Sequence, residues 1–287
     1  MNRIADPITK LYEGLDAESL DEVKHHRTPV MRFRASEMAD CGRRIWYRLS
    51  GYLPTPDSAW LDLIGKEGNV LHDVVRHLCV HHDMPLSHFE LKEDGTVQES
   101  PIMVKQFTYD DTDFTMSCRD DGHAELSVGM AALELKTLGF YYYKYLSEAY
   151  ARDGDQGVLE RIQAKHKNYV AQGNTTAMLH DLDWVYLLVV ARENMTVGLY
   201  DKAKDRRTGG AIWRVTDEAK NKLLAKCARI QRHVTSGRPP IPEYLDGSKE
   251  CGQCPFYYRC HGAARRKIQG EEPTVVYPVP GIMESTK

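Results

Sequence analysis

The sequence predicts an α/β protein with one mixed sheet at its centre. The chain begins with segments of helical periodicity, continues with short segments in which apolar and polar residues alternate, and then returns to helical periodicity. A near-continuous apolar run, Trp184 to Val190, has the composition of a strand covered on both faces. With 42% hydrophobic and 28% charged residues in 287, the composition is that of a folded globular chain and excludes the disordered and fibrous classes.

Helical patterns dominate the first 82 residues. A short helix is expected after Asp6-Pro7, because proline suits the first turn of a helix. A second helix is expected from Glu37 to Ser50, with Ser36 as its N-cap and Gly51 at its C-terminus. A third is expected from Ser58 to about His82, where the apolar residues have helical spacing: Leu61, Ile64, Val70, Leu71, Val74, Val75 and Leu78.

Short strands are expected next, separated by turn signals at Glu93-Asp94-Gly95 and Asp110 to Asp113. These strands are Ser87 to Lys92, Ile102 to Tyr109, Phe114 to Asp121 and Met130 to Thr137. The remaining expected elements are helices at Phe140 to Ala151, Gln156 to Ala164, Lys167 to Leu182 and Thr216 to His233, and strands at Trp184 to Val190 and Val197 to Lys202. We expect three regions: an N-terminal helical extension over 1–30, one domain over 31–263 and a tail over 264–287.

Charge and hydropathy limit the partners. The net charge of -3 gives no bulk basicity, so a nucleic acid would have to be bound by local basic groups. The longest apolar run, Trp184 to Ala191, is about a third of the length that a membrane span requires. Met1 to Leu11 has no apolar signal core. We therefore expect a cytoplasmic protein with no membrane partner.

Glu134-Leu135-Lys136 lies in one of the expected strands. Period-two geometry places Glu134 and Lys136 on the same face, about 7 Å apart. Asp121 precedes Glu134 by enough residues for a hairpin-like return, so the two carboxylates can meet. Two hard oxygen ligands suit Mg²⁺ or Mn²⁺, and a neighbouring lysine can orient an attacking water. The alternative is an ordinary salt bridge at a strand end, and Asp120 competes with Asp121 for the first position.

This pattern of Asp121 followed by Glu134-Leu135-Lys136 on adjacent strands resembles the PD-(D/E)XK nuclease superfamily. The resemblance implies a restriction-endonuclease-like core, in which helices flank a mixed central sheet. Gly68-Asn69-Val70-Leu71-His72 resembles the G-x-x-x-H motif of the RecB-like branch. Tyr169 and Gln172 resemble its Q-x-x-x-Y motif, although Thr176 stands where the family has tyrosine. Cys118 also replaces a glycine-like position of the aspartate motif.

The resemblance assigns a role to each of these residues. His72, Asp121, Glu134 and the carbonyl of Leu135 would hold Mg²⁺ or Mn²⁺. Lys136 would act on the attacking water, and Gln172 would position Lys136 or the DNA.

The cysteines are too few and too unevenly placed for a disulfide framework. Cys251, Cys254 and Cys260 are compact in sequence, and Cys41 is a candidate fourth ligand. Their ligand chemistry allows zinc or an iron–sulfur cluster. The spacing of one cysteine before the core and three after it resembles the iron–sulfur exonucleases of the fourth CRISPR-associated (Cas) protein family and the AddB nuclease domain. The resemblance implies a [4Fe-4S] cluster that clamps the N- and C-terminal segments together.

Local basic and aromatic residues are the candidates for DNA contact: Arg43, Arg44, Lys165, Lys167 and Tyr169. The resemblance implies a metal-dependent DNA exonuclease acting on DNA ends or single strands, encoded by a bacterium, archaeon or phage. Its partners would be DNA and recombination or CRISPR adaptation proteins. Two alternatives stay open, a non-catalytic adaptor that binds DNA ends and an iron–sulfur redox sensor that binds DNA.

Overall fold

The computed structural model describes most of the chain between residues 31 and 261. The described residues are 31–52, 54, 68, 70–77, 86–87, 100–194, 196–201, 206–208, 210–244, 246 and 248–261. The expected helix after Asp6-Pro7, most of the expected strand Ser87 to Lys92 and the expected tail over 264–287 lie outside them. None of the helices in these ranges is long and apolar enough to cross a membrane.

The described residues form two compact units. The first, here called the sheet unit, comprises Arg32–Ala39 and Lys66–Ala228. The second, here called the cysteine unit, comprises the described residues of Asp40–Gly65 and those from Arg229 to His261. All strands in the described part of the chain belong to the sheet unit.

The strands assemble into one main sheet and two smaller ones. They are β1 (Phe33–Arg34), β2 (Leu86–Ser87), β3 (Met103–Tyr109), β4 (Thr112–Cys118), β5 (His123–Leu126), β6 (Gly129–Leu138), β7 (Trp184–Ala191), β8 (Thr196–Val197), β9 (Leu199–Asp201), β10 (Arg206–Thr208) and β11 (Gly210–Arg214). The main sheet has the order β11-β7-β6-β5-β2, and β8 also pairs with β7. Only β6 and β7 are parallel among these pairs, so the main sheet is mixed.

The expectation of a single sheet is wrong. Strands β3 and β4 form a hairpin in a separate sheet with β1, and β9 and β10 form a two-stranded sheet in the described part of the chain. The reason lies in how the strands are covered. Half-buried and exposed residues alternate along β3, whereas β7 is buried along most of its length. A strand with one solvated face cannot occupy the centre of a sheet that is covered on both sides.

The expectation that Trp184 to Val190 forms a central strand is confirmed. Val185, Leu187 and Val189 belong to one core cluster, whereas Leu188 and Val190 belong to another. This alternation is what a strand produces when both of its faces pack against other elements.

The described helices are α1 (Gly42–Leu49), α2 (residues 70–77), α3 (Phe140–Lys165), α4 (Lys167–Leu179), α5 (Asp217–Thr235), α6 (Lys249–Gly252) and α7 (Tyr257–His261). The first core cluster lies between β7 and helices α3 and α4, and the second contains Val75 of α2. The main sheet therefore has helices on both faces, as the sequence predicts.

Three helix boundaries differ from the expectation. Ala35–Glu37 is a 3-10 helix, and α1 begins only at Gly42, because the buried Ala35 and Met38 belong to the core of the sheet unit. The two helices expected between 140 and 164 form one helix, α3, with a kink at Gly154. Helix α4 ends at Leu179, and Asp181, with a φ of 57°, turns the chain toward β7.

Helix α2 presents a different face to the sheet than its apolar pattern predicts. Val70 and Val74 of the expected apolar stripe are exposed, and Val75 is buried. The face toward β6 includes Gly68, where an added Cβ would lie 3.5 Å from Thr137 Oγ1. His72 and Arg76 follow at intervals of four residues and therefore lie on the same face. Polar side chains of α2 thus reach the edge of the main sheet.

The cysteine unit is built around aromatic packing on α1. Tyr47 stacks on Phe256 with ring centroids 5.4 Å apart, and Trp46 Nε1 donates a hydrogen bond to the carbonyl of His233. Arg259 lies over the ring of Tyr52. These contacts bring the segment from Cys251 to Cys260 next to α1, which begins directly after Cys41.

Candidate active site

Asp121 lies where the pairing between β5 and β6 ends. The last paired residues are His123 and Ala132. Beyond them the N–H of Leu133 donates to the carbonyl of Gly122 at 2.9 Å, and the N–H of Leu135 donates to Asp121 Oδ2 at 2.9 Å. The carboxylate of Asp121 therefore accepts a hydrogen bond from β6 that a neighbouring strand's carbonyl would otherwise accept. The hydrogen bond from the N–H of Leu135 holds this carboxylate beside Glu134.

Two side chains of α2, Arg76 and His72, contact Asp121. Arg76 Nη2 donates to Asp121 Oδ1 at 2.7 Å, and Arg76 Nε donates to the carbonyl oxygen of Asp121 at 3.3 Å. His72 Nδ1 lies 3.4 Å from the same Oδ1. Burial acts to raise the pKa of Asp121, but the hydrogen bond and charge of His72, with the charges of Lys136 and Arg76, hold it below its ordinary value. Asp121 is therefore an ionised carboxylate.

Glu134 and Lys136 form a buried ion pair on the α4 side of the sheet. Lys136 Nζ lies 2.5 Å from Glu134 Oε1, and the Glu134 side chain is 2% exposed. Burial raises the pKa of Glu134 to about 7, and Asp121 adds to this rise while Lys136 opposes it. Burial acts in the opposite direction on Lys136, but Glu134 and Asp121 raise its pKa above the ordinary value. The lysine is therefore charged, and Glu134 lies near the midpoint of its titration at neutral pH.

Helix α4 contributes two contacts to Lys136. Lys136 Nζ donates to Gln172 Oε1 at 3.3 Å and lies 5.1 Å from the centroid of the Tyr169 ring. Thr176, one turn beyond Gln172, is 2% exposed and bonds to the sulfur of Cys118. The aromatic partner of Lys136 therefore comes from the turn before Gln172, and Thr176 packs into the interior.

The three side chains predicted to bind the metal are gathered at one edge of β6 without full convergence. The ligand atoms of His72, Asp121 and Glu134 do not all lie within 4.8 Å of one another. Arg76 contacts Asp121 Oδ1, and Lys136 contacts Glu134 Oε1. Leu135, which lies between Glu134 and Lys136 in the sequence, is fully buried. Two carboxylates, an imidazole and a main-chain carbonyl nevertheless form a donor set that fits Mg²⁺ or Mn²⁺.

Sequence reasoning did not find Arg76. The signal was present, because Arg76 follows His72 by four residues and so lies on the same helical face. The apolar stripe predicted for this helix obscured it.

A row of aromatic rings leads away from Lys136 along α3 and α4. The ring of His166 stacks on Tyr169 at 5.0 Å, Tyr142 lies 4.4 Å from His166, and Tyr145 stacks on Tyr142 at 5.9 Å. All four rings are half-buried. Lys165 and Arg161 lie over the ring of Tyr145, at 4.3 and 3.8 Å from its centroid. Lys167 is exposed at the start of α4. The row therefore combines aromatic rings with the positive charges of Arg161 and Lys165.

Asp120 does not join the group around Asp121. Its side chain lies with His123 and His180, in a second buried cluster on the other side of the backbone. Neither histidine was predicted from the sequence as a site residue, because both lie outside the motifs that were recognised.

The predicted cluster ligands Cys41, Cys251, Cys254 and Cys260 all lie in the cysteine unit. Burial raises the pKa of the Cys254 thiol, and Cys41 and Cys251 add to this rise. The N–H of Glu243 lies 3.4 Å from Cys41 Sγ. Such donors stabilise sulfur ligands of a metal centre.

The spacing of these sulfurs is wider than one zinc ion requires. Zn–S bonds of about 2.3 Å hold the sulfurs of a tetrahedral site about 3.8 Å apart. Among the described cysteines, no three sulfurs lie within 4.8 Å of one another.

Two predicted DNA-contacting arginines have partners inside the cysteine unit. Arg43 Nε donates to the carbonyl of Pro240 at 2.6 Å, and its Nη1 lies 3.5 Å from Cys260 Sγ. Arg44 pairs with Asp40 at 3.3 Å.

No family model matches the chain, and a search of the curated proteins finds no significant match. Three solved structures are similar in part. One is the crystal structure of SSO0001, with a TM-score of 0.47 and 13% identity over 90% of this chain and 98% of that chain. LHK-Exo in complex with dAMP has a TM-score of 0.40 and 12% identity over 74% and 94% of the two chains. The alkaline exonuclease LHK-Exo from Laribacter hongkongensis has a TM-score of 0.38 and 13% identity over 75% and 95%.

Proposed function

We propose that this protein is a divalent-metal-dependent DNA nuclease, and that it degrades DNA from ends or in single strands. One observation carries the proposal. Lys136 contacts both Glu134 and Gln172, while Asp121 is fixed to the backbone of the same strand through the N–H of Leu135. A buried lysine between two carboxylates that differ in pKa is an arrangement typical of catalytic sites.

The metal ligands would be His72, Asp121, Glu134 and the carbonyl of Leu135. A bound Mg²⁺ or Mn²⁺ would polarise the scissile phosphodiester and lower the pKa of the attacking water. Asp121 supplies a carboxylate that stays ionised. Glu134 would have to be deprotonated to serve as a ligand, because ligand carboxylates are ionised.

Lys136 would orient the attacking water. An ammonium group has three N–H donors, and the contacts to Glu134 and Gln172 use two of them. The third can be directed at the water or at a phosphate oxygen. The hydrogen bond from Lys136 to Gln172 restricts the orientation of the lysine side chain, so Gln172 is a positioning residue.

The aromatic row offers a path for unpaired bases next to this site. Tyr169, which contacts Lys136, continues through His166 and Tyr142 to Tyr145. Stacking on aromatic rings is tolerant of base identity, and positive charge near the rings follows the phosphate backbone. The row therefore suits a single strand or a frayed end. The alternative is that these rings only pack against the core, which they also touch.

A comparison of two lysine variants tests the proposal. Lys136→Met keeps most of the side-chain length but removes the charge, so we expect Mg²⁺- or Mn²⁺-dependent cleavage of DNA to fall by about 10²–10⁴-fold. Lys144→Met, which changes an exposed lysine of α3, should retain full activity. The substrates are end-labelled single-stranded, linear duplex and covalently closed circular DNA. Equal cleavage by wild type and Lys136→Met would contradict the proposal.

The same assay separates the alternatives. Cleavage of linear DNA with circular DNA left intact indicates an exonuclease. Binding of DNA ends by the wild type without cleavage in either metal indicates an adaptor. DNA affinity that changes with cluster oxidation, again without cleavage, indicates a redox sensor.

We also propose that Cys41, Cys251, Cys254 and Cys260 bind a [4Fe-4S] cluster. In such a cluster each thiolate binds a different iron, so the sulfurs lie farther apart than around one zinc ion. No step of phosphodiester hydrolysis requires electron transfer, so the cluster would serve as a structural clamp.

A further inference from the structure

The second buried cluster is made of one carboxylate and two imidazoles. His123 Nε2 lies 3.2 Å from Asp120 Oδ2, and His180 Nε2 lies 3.6 Å from the same oxygen. Among the residues that the structure describes, this is the group in which three potential ligand atoms all lie within 4.8 Å of one another. The three side chains come from different elements: Asp120 follows β4, His123 begins β5 and His180 ends α4.

These distances fit the edges of a zinc coordination tetrahedron. Zn–N and Zn–O bonds of about 2.0–2.2 Å place neighbouring ligand atoms about 3.4 Å apart. The observed separations of 3.2 and 3.6 Å bracket that value. Cys118 Sγ lies 3.7 Å from His180 Nε2 but does not join the group of three ligand atoms.

The Asp120, His123 and His180 side chains are buried, so water cannot stabilise a charge on them. The side chains of Asp120, His123 and His180 are 1%, 9% and 6% exposed. A buried carboxylate needs a cation, supplied either by a protonated histidine or by a metal ion. Two imidazoles that direct the same kind of nitrogen at one carboxylate oxygen favour the metal, because a single imidazolium already neutralises one carboxylate.

We propose that Asp120, His123 and His180 bind a transition-metal ion of the zinc class. Imidazole ligands select zinc and its neighbours over Mg²⁺, which prefers oxygen ligands. The ion would tie the end of β4, the start of β5 and the end of α4 together, next to Asp121. Its role would be structural, because the site is closed to solvent. This proposal does not rest on the proposed nuclease function.

Zinc content tests the proposal on the full-length protein. Wild type is treated with chelator, incubated with Zn²⁺ and freed of excess metal by gel filtration. We expect the double variant His123→Gln/His180→Gln to retain one zinc fewer per chain than wild type. Asp120→Asn, which keeps the shape of the side chain, should also lose zinc. His233→Gln, in the cysteine unit, is the matched control and should retain the wild-type content.

X-ray absorption at the zinc edge keeps the test decisive if the variants do not fold. Zinc in wild type should show imidazole scattering that persists in His72→Gln, which changes the candidate active site and leaves the Asp120 cluster intact. Saturating Zn²⁺ should also raise the Tm of chelator-treated wild type by about 5 °C. Sulfur neighbours alone, imidazole scattering that disappears in His72→Gln, or equal zinc content in wild type and the double variant would overturn the proposal.

Discussion

Each buried carboxylate near the ends of β4 and β6 contacts different partners. Asp120 lies against His123 and His180, Asp121 against Arg76 and His72, and Glu134 against Lys136. The carboxylates of Asp120 and Asp121 have lowered pKa values, although burial acts in the opposite direction. Glu134 alone has a raised pKa, because burial and Asp121 outweigh Lys136. The candidate site therefore joins an acid whose pKa is lowered to one whose pKa is raised to about 7.

The raised pKa of Glu134 predicts how metal activation depends on pH. Below about pH 7 Glu134 binds a proton that the metal must displace, so apparent metal affinity should fall as the pH falls. We expect the half-saturating Mg²⁺ concentration to rise about tenfold per pH unit below that point and to level off above it. Mg²⁺ titrations of DNA cleavage between pH 5.5 and 8.5, at constant ionic strength, measure this. A half-saturating concentration that stays constant over that range would show that Glu134 is not a ligand.

Arg76 gives the site a second kind of control. Its guanidinium occupies Asp121 Oδ1 at 2.7 Å and the main-chain oxygen of the same residue at 3.3 Å. A metal ion that binds Asp121 must share or displace this contact, so Arg76 stabilises the carboxylate while the metal is absent.

At the scale of elements, helix α3 shows how one residue can divide a long helix. Gly154 has a φ of 62° and a ψ of -147°, which side chains with a Cβ rarely adopt. The kink separates the turns that present Tyr142 and Tyr145 from those that present Arg161 and Lys165. Arg161 and Lys165 nevertheless lie over the ring of Tyr145, which stacks on Tyr142.

Gly154→Ala should destabilise the protein through its backbone alone. An added Cβ would meet nothing within 4 Å, so no clash contributes. We expect a loss of about 1–2 kcal/mol in the free energy of unfolding, from the cost of a positive φ at alanine. Urea denaturation followed by circular dichroism measures it. Gly252→Ala, at an uncrowded helical position without a positive φ, is the control and should change stability little; a Gly154 variant as stable as this control would contradict the argument.

At the scale of the whole molecule, the four cysteines lie on segments that are far apart in the chain. Cys41 and Cys251 belong to the same unit but are separated by about two hundred residues. A covalent or metal link between them would restrain the unfolded chain by about 5 kcal/mol in a simple loop-entropy model. The aromatic contact between Tyr47 and Phe256 already holds the two segments together without a link.

The proposed cluster predicts a paired loss of iron and stability. Anaerobically purified wild type should be brown and contain four irons per chain if the [4Fe-4S] assignment is right. Cys254→Ala should lose the visible absorption and unfold at lower urea concentration, because the clamp is opened. Cys227→Ala, which removes a buried thiol of the sheet unit, should keep its iron. Colourless wild type, or brown and stable Cys254→Ala, would overturn the cluster.

The sequence alone determined the features that follow from local periodicity. A period of two places Glu134 and Lys136 on one face of β6, and the apolar run from Trp184 predicts the doubly covered β7. The helical spacing of Tyr169 and Gln172 places both on the side of α4 that meets Lys136. These relations hold between residues only a few positions apart, where backbone geometry leaves few arrangements.

The tertiary structure alone decided which charges meet. Asp121 and Arg76 are 45 residues apart, and Cys118 and His180 are 62 residues apart, so neither contact follows from periodicity. The separation of β3 and β4 from the main sheet was decided in the same way, by which strand faces found cover. The physical reason is that a buried carboxylate is stabilised by whichever cation the packing of distant segments brings within a few ångströms, and that distance depends on the whole fold.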